Sequence, residues 1–257
     1  MKFQTKKSLG QNFLHDPNIL KNIARSTNAT KKDLIVEIGP GMGALTKELV
    51  KTESKVISFE IDTRLKEHLD KIDADNLKIV YDDFMKVDLK KYISEDKYDN
   101  VYVIANIPYY ITTPIIKKIL SSDIYIKNVV LLVQKEFADR ICAKCGTKEY
   151  DSLTVYLSYY YNINKLFNVS ASSFSPRPKV DSAVIKLSRK SKDIKDNPKL
   201  FKIVDNAFKF KRKTLKNNLK MYDWNIVKNV LNNYKESETV RAEQLPLEFY
   251  IELSQVL

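Results

Sequence analysis

The first two-thirds of the chain alternates short apolar runs with longer segments of helical pattern. Val and Ile are prominent in the apolar runs, as expected for strands with both faces covered. Between two of these runs, Thr113 and Pro114 are expected to be the N-cap and first residue of a helix that continues through Leu120. Strands that alternate with helices predict a doubly wound α/β sheet. The predicted strands are Leu34–Ile38, Val56–Phe59, Leu77–Tyr81, Val101–Ala105, Val129–Gln134 and Ser182–Leu187.

The pattern changes after about Arg189, where SRKSKDIKDNP forms a charged, polar linker. Beyond the linker, apolar residues recur at helical spacing, and Asp223–Asn233 and Leu247–Leu257 also have helical patterns. The sequence therefore predicts two domains, 1–189 and 190–257, of which the second is small, basic and all-helical. The helical spacing after the linker is carried by Leu200, Ile203, Val204, Ala207 and Phe208.

Composition and charge narrow the possible partners. Of the 257 residues 44% are hydrophobic, enough to bury a sizeable core, and the net charge of +12 favours a polyanionic partner. No apolar run approaches the roughly 20 residues that span a bilayer, and the N-terminus lacks a signal-peptide core. We therefore expect a cytoplasmic protein without a membrane partner. As a separate expectation, the protein acts as a monomer. Cys142 and Cys145 form a lone C-x-x-C far from both histidines, so we expect no metal site.

A glycine cluster follows the first predicted strand and suggests a cofactor site. Gly39, Gly41 and Gly43 have the spacing G-x-G-x-G, which permits a sharp turn and close approach of a ligand to the backbone. Glu60 ends the second predicted strand, where it can accept hydrogen bonds from ribose hydroxyls. Asp83 follows the third predicted strand, where it can accept a hydrogen bond from the adenine amine, and Asp82 is the alternative. These features fit NAD, a flavin or S-adenosylmethionine.

The fourth predicted strand runs into Asn106-Ile107-Pro108-Tyr109. The Asn106 amide oxygen and the Pro108 carbonyl could accept hydrogen bonds from an aromatic amine and direct its lone pair, while Tyr109 stacks on the ring. Such positioning suits methyl transfer from a sulfonium. This reaction needs no strong base, because the sulfonium is already a good leaving group. The motif therefore favours S-adenosylmethionine as cofactor. Phe174 is the candidate for a second stacking face, as a rim residue, around a flipped-out adenine.

A basic segment, FKFKRKTLKNNLK, lies in the second predicted domain. If it is helical, its cations form one face that can bind RNA phosphates. Lys2, Lys6 and Lys7 near the N-terminus are the alternative phosphate ligands. The predicted RNA-binding face consists of Lys209, Arg212, Lys213, Lys216 and Lys220.

Six segments, in order along nearly the whole chain, resemble the bacterial small-subunit ribosomal RNA adenine dimethyltransferases: QNFL, VEIGPGMGALT, NIPYYITTPII, LVQKEFADRI, FSPRPKVDSAV and FKRKTLKNNL. The resemblance implies a Rossmann-like methyltransferase domain with a small helical domain. It also implies dimethylation of two adjacent adenosines in a hairpin loop near the 3′ end of the small-subunit RNA, and a role in subunit biogenesis. In that family QNFL contributes to the cofactor pocket, which implies roles for Asn12 and Leu14 beside Gly39, Glu60, Asp83 and Asn106.

Three alternatives remain open from the sequence. The nearest is a macrolide-resistance-type methyltransferase of large-subunit RNA, which shares the catalytic motifs. A non-catalytic ribosome assembly factor would not need the intact Asn106–Tyr109 motif and Glu60. A nicotinamide-dependent dehydrogenase is the most distant of the three.

Overall fold

The computed structural model describes residues 11–257, so Lys2, Lys6 and Lys7 lie outside the described residues. The strands are β1 (Phe13–Leu14), β2 (Leu34–Ile38), β3 (Lys55–Phe59), β4 (Leu77–Val80), β5 (Val101–Asn106), β6 (Ile126–Gln134), β7 (Tyr161–Val169), β8 (Phe174–Ser175) and β9 (Ser182–Arg189). The helices are α1 (Pro17–Arg25), α2 (Ala44–Leu49), α3 (Lys66–Leu69), α4 (Thr112–Leu120), α5 (Lys135–Ile141), α6 (Ser152–Tyr160), α7 (Pro198–Ala207), α8 (Leu215–Asn218), α9 (Trp224–Asn233) and α10 (Leu247–Val256).

Seven strands form one sheet in the order β4-β3-β2-β5-β6-β9-β7. The strands from β4 to β6 pair in parallel, and β9 pairs with β6 in the antiparallel direction. The chain leaves β2 toward β3 on one side and returns to β5 on the other. In such sheets, ligands bind beyond the carboxyl ends of the strands at this reversal of order.

The predicted α/β class is confirmed, and each predicted strand corresponds to a strand of the sheet. Sequence patterning missed β7, whose residues are mostly exposed or half-buried because it lies at the sheet edge. An edge strand of this kind lacks the continuous apolar run that marks a central strand.

The predicted start of α4 was wrong. The helix begins at Thr112, its N-cap is Ile111, and a 3₁₀ turn over Tyr109–Ile111 leads directly into it. Pro114 therefore lies in the first turn rather than at the first helical position. Proline is tolerated there because the first N–H groups of a helix have no intrahelical acceptor.

The chain divides into two compact units. The first extends to Ala138 and resumes over Asn164–Arg189, whereas the second consists of Asp139–Ile163 and Lys190–Leu257. The break near residue 190 corresponds to the predicted linker, but the second unit also includes α6. This helix belongs there because Val155, in α6, shares an apolar core with Leu200 and the later helices. Among the described residues, no helix is long and apolar enough to cross a membrane.

Candidate active site

The carboxyl ends of three neighbouring strands bring the predicted cofactor and catalytic residues together. Ile38 is aligned with Phe59 on one side and with Ala105 on the other. The residues that immediately follow these positions are Gly39, Glu60 and Asn106, and all three line a single cavity of about 410 Å³. This volume lies within the usual range for small-molecule sites.

The glycine turn has the left-handed backbone that its residue types predict. Gly39 and Gly41 have φ angles of 70° and 59°. A Cβ atom added to Gly41 would lie 2.9 Å from the Cε1 atom of Phe13, so a side chain there would require the ring to move. The turn therefore presents bare backbone to the cavity, as predicted for close approach of a ligand.

Glu60 lies directly beyond β3 and is only 4% exposed. Its Oε2 accepts the N–H of Gly41 at 3.0 Å, and its Oε1 accepts the N–H of Asp62 at 2.8 Å. Burial raises the pKa of Glu60 above its ordinary value, against the lowering effect of these backbone hydrogen bonds. Each carboxylate oxygen retains a further lone pair for a ligand, so the structure is compatible with the predicted ribose contact.

Both candidate acids after β4 line the cavity. Asp83 is half-buried, whereas Asp82 is exposed. The Oδ1 of Asp83 accepts the N–H of Met85 at 2.9 Å, which fixes the carboxylate at the start of the next turn. The Oδ1 of Asp82 likewise accepts a backbone N–H, that of Asp83, so only the lower exposure of Asp83 favours it as the predicted adenine contact.

The Asn106–Tyr109 motif lies at the end of β5 and turns into the 3₁₀ segment before α4. The Pro108 carbonyl accepts the N–H of Ile111 at 3.1 Å and has a second lone pair. The hydroxyl groups of Tyr109 and Ser182 share a hydrogen bond of 2.7 Å, and burial raises the pKa of Tyr109. This bond anchors the ring at the cavity wall, where Asn106, Pro108 and Tyr109 all lie.

Phe174 lines the same cavity, but its predicted location at the rim was wrong. It is 4% exposed and belongs to an apolar cluster with Leu14, Val169 and Val184. The reason is the pairing of β1 with β8, in which Leu14 lies opposite Phe174. Phe174 is therefore both a core residue and part of the cavity wall, and its stacking role stays a prediction.

The QNFL segment also reaches the cavity. Asn12 and Leu14 both line it, Leu14 as a buried residue and Asn12 as a half-buried one. Sequence reasoning did not single out Tyr110 or Ile61, which line the cavity with 65% and 54% of their surfaces exposed. Only the aromatic pair Tyr109–Tyr110 could have signalled the first of these.

A second buried acid lies near Glu60. Glu37, in β2, accepts hydrogen bonds on Oε2 from the hydroxyls of Ser58 and Thr46, at 2.6 and 2.8 Å. Within the described part of the chain its Oε1 has no partner. Burial, and to a lesser degree the Glu60 charge, raises the pKa of Glu37 to about 7.

The basic segment of the second unit is not one helix, so the predicted single basic face was wrong. Helix α7 ends at Ala207, and the next helical turn, α8, spans only Leu215–Asn218. Lys209, Arg212 and Lys213 lie in the intervening loop. The side chain of the buried Asn218 donates to the carbonyls of Ala207 and Phe210, at 2.7 and 3.1 Å, which stabilises the loop against helix formation.

Two of the predicted RNA-binding lysines are in or beside α8. Lys216 is engaged by the protein itself: its Nζ lies 2.9 Å from Glu238 and 5.2 Å from the centroid of the Trp224 ring. Lys220 is exposed just beyond the end of α8. The five predicted cations are thus spread over a loop, a short helix and a turn.

Known proteins resemble the chain over nearly its whole length. A family model described as "Ribosomal RNA adenine dimethylase" matches residues 2–256. The ribosomal RNA small subunit methyltransferase A of Leuconostoc mesenteroides is 42% identical, over 97% of this chain and 89% of that protein. The protein of the same name from Enterococcus faecalis is 40% identical, over 99% of this chain and 91% of that protein.

Two solved structures are similar over a comparable extent. A dimethyladenosine transferase from Plasmodium falciparum has a TM-score of 0.77 at 29% identity, with 94% of this chain and 95% of that chain covered. The 23S rRNA methyltransferase ErmE also has a TM-score of 0.77, at 25% identity, with 96% and 99% covered.

Proposed function

The chain belongs to the ribosomal RNA adenine dimethylase family, and from this premise we propose that it is a ribosomal RNA adenine-N6,N6-dimethyltransferase. The proposed substrate is a pair of adjacent adenosines in a hairpin loop near the 3′ end of small-subunit RNA, methylated during subunit biogenesis in the cytoplasm. The observation that carries this proposal is the shared cavity of Glu60, Gly41 and Asn106. The residue proposed to contact the nucleoside and the residue proposed to bind the amine thus line one cavity.

The residues of the cavity fit S-adenosylmethionine. A side chain at Gly41 would fill the space beside Phe13, so the turn leaves its backbone accessible to a ligand. We assign the cofactor contacts to Asn12, Leu14, Gly39, Gly41, Glu60, Asp83 and Asn106. When bound, this cofactor supplies a methyl group on a sulfonium that leaves as a neutral thioether.

The protein's own contribution to the reaction is positioning. In the first transfer the Asn106 amide oxygen and the second lone pair of the Pro108 carbonyl accept the two N–H groups of the adenine amine, and in the second transfer one of them accepts the remaining N–H. These contacts direct the nitrogen lone pair out of the ring plane, and the nitrogen loses one proton with each methyl group that it gains. The anchored ring of Tyr109 stacks on the base, and Phe174 forms part of the wall behind it. Fixed dipoles of this kind stabilise the transition state without reorganising during the reaction.

Charge and the second unit support RNA as the partner. The net charge of +12 favours a polyanion, and Lys209, Arg212, Lys213 and Lys220 are exposed in the second unit. We therefore propose that residues 190–257, together with 139–163, contribute RNA binding, and that the protein acts as a monomer on the small subunit or its precursor.

The direct test is methyl transfer to purified subunits. Unmethylated small subunits, large subunits and free ribosomal RNA are each incubated with labelled S-adenosylmethionine, and the modified adenosines are mapped. We expect dimethyladenosine at two adjacent positions of the small-subunit RNA. Methylation of large subunits alone would instead favour the second candidate, a large-subunit methyltransferase. This candidate is included because the structure is similar to that of ErmE. Absence of methyl transfer to any substrate would contradict an enzymatic role.

A further inference from the structure

An exposed aromatic ring lies in the loop between α7 and α8. Phe210 is 50% exposed, although Phe208, only two residues earlier, is buried in the core of the second unit. Exposing half of a phenylalanine forgoes part of the hydrophobic stabilisation that burial would give. The exposed ring of Phe210 is therefore a candidate for contact with a binding partner.

The loop that presents this ring is fixed rather than loosely extended. Asn218, itself 5% exposed, donates to the carbonyl of Phe210 at 3.1 Å, and the N–H of Lys213 donates to the same carbonyl at 2.9 Å. Asn218 also donates to Ala207, so one buried amide joins both sides of the loop. A ring held on such a loop loses little conformational freedom when it binds a partner.

Two cations lie close to the ring, and two more are its exposed neighbours in the loop sequence. The Nζ atoms of Lys213 and Lys209 lie 4.9 and 5.8 Å from its centroid, and Lys211 and Arg212, which follow it in the chain, are exposed. In the described part of the chain, none of the four forms an ion pair, whereas Lys216 and Lys228 are both paired with Glu238. The loop thus combines uncompensated positive charge with a half-exposed aromatic ring, over which the two lysine side chains lie without an acidic partner.

We propose that Phe210 is a stacking platform for an unpaired RNA base, and that the four cations contact the phosphates on either side of that base. Aromatic rings set among basic residues bind single-stranded nucleic acid in this way, because every base has a π-face and every nucleotide a phosphate. The inference rests on the proposed function, in which the substrate is RNA, and it names the residue that distinguishes unpaired RNA from a duplex.

The test compares two RNA probes of equal charge, a labelled oligoadenylate and a blunt RNA duplex. Phe210→Ala and Phe210→Leu are expected to bind oligoadenylate about tenfold more weakly than wild type, with little change for the duplex. Phe210→Tyr, which keeps the ring, is expected to restore binding. Met221→Ala is the matched control, since Met221 is an apolar residue of the same unit with 56% exposure.

Salt dependence separates stacking from charge. The Phe210 variants should keep the wild-type slope of log affinity against log salt, whereas Lys211→Gln should reduce that slope for both probes. The inference would be overturned if Phe210→Leu bound oligoadenylate as tightly as wild type, or if it lost as much affinity for the duplex as for oligoadenylate. In either case, methyl transfer by the wild-type protein would leave the proposed function intact. A wild-type protein that neither binds RNA nor transfers methyl groups would contradict the proposed function instead.

Discussion

The Oε2 atom of Glu60 accepts a hydrogen bond of 3.0 Å from the backbone N–H of Gly41, 19 residues earlier in the chain. The bond joins the acid after β3 to the glycine turn after β2. Because the other oxygen accepts the N–H of Asp62, the carboxylate has one orientation at the cavity wall. The proposed ribose contact and the shape of the glycine turn therefore depend on the same side chain.

Replacement of Glu60 should weaken cofactor binding. In Glu60→Gln the amide NH₂ must face a backbone N–H, either that of Gly41 or that of Asp62, and in Glu60→Ala both bonds are lost. Charge-assisted bonds contribute about 1.5–3 kcal/mol, so we expect a loss of about tenfold or more in S-adenosylmethionine affinity, measured by calorimetry. Glu67→Gln, at an exposed position of the same unit, is the control. Unchanged affinity in both Glu60 variants would exclude the contact.

Asn106→Ala should chiefly affect turnover. It removes one acceptor for the adenine amine, and loss of a single transition-state hydrogen bond typically lowers kcat by about 10²-fold. Single-turnover methylation of small subunits measures the effect on turnover, and a cofactor titration measures any effect on S-adenosylmethionine affinity. Asn164→Ala, at an exposed position in β7, provides a matched control. A folded Asn106→Ala protein with near-normal turnover would contradict the catalytic assignment.

Phe174→Ala should destabilise the first unit because the ring is buried against Leu14 and Val184. Truncation of a core phenylalanine costs about 3–5 kcal/mol of unfolding free energy, which urea denaturation can measure. Phe174→Leu keeps much of the apolar volume but removes the aromatic face. If the ring also stacks on the target base, Phe174→Leu should lower methyl transfer without changing cofactor affinity. Normal transfer by this variant would leave Phe174 with a packing role only.

Glu37 should make stability depend on pH. Its pKa is about 7 in the folded protein and ordinarily 4.5, so between these values the folded state holds a proton that the unfolded state has released. The free energy of unfolding should therefore fall by about 3 kcal/mol as pH rises from 4.5 to 7. Glu37→Gln should lose this component, as measured by urea unfolding at pH 5 and 7.5. Identical pH dependence in wild type and variant would contradict the shift.

Lys213 and Lys216 should differ in their effect on RNA binding. Lys213→Gln removes an uncompensated charge and should reduce the salt slope by about 0.7–0.9 if it contacts one phosphate. Lys216 is already paired with Glu238, so Lys216→Gln should change the slope less. The measurement is binding to small subunits across a salt series. Equal slopes for wild type and Lys213→Gln would exclude Lys213 as a phosphate ligand.

The sequence by itself determined the α/β class and much of the cofactor site. The strand ends, the glycine turn and the Asn106 motif are local features, since each depends on residue types within a few positions. Parallel strands bring their carboxyl ends to one edge of a sheet, so the strand pattern alone places Gly39, Glu60 and Asn106 close together.

Only the tertiary structure decided how distant segments meet. The pairing of Leu14 with Phe174 buries a ring that sequence reasoning placed at the rim. The amide of Asn218 bonds back to Ala207 and Phe210, which replaces a predicted basic helix with a loop. In both cases the contact joins residues that are further apart in the chain than one turn of a helix or one two-residue repeat of a strand. Hydrophobic periodicity reports which face of a segment is buried, but it carries no information about the partner that buries it.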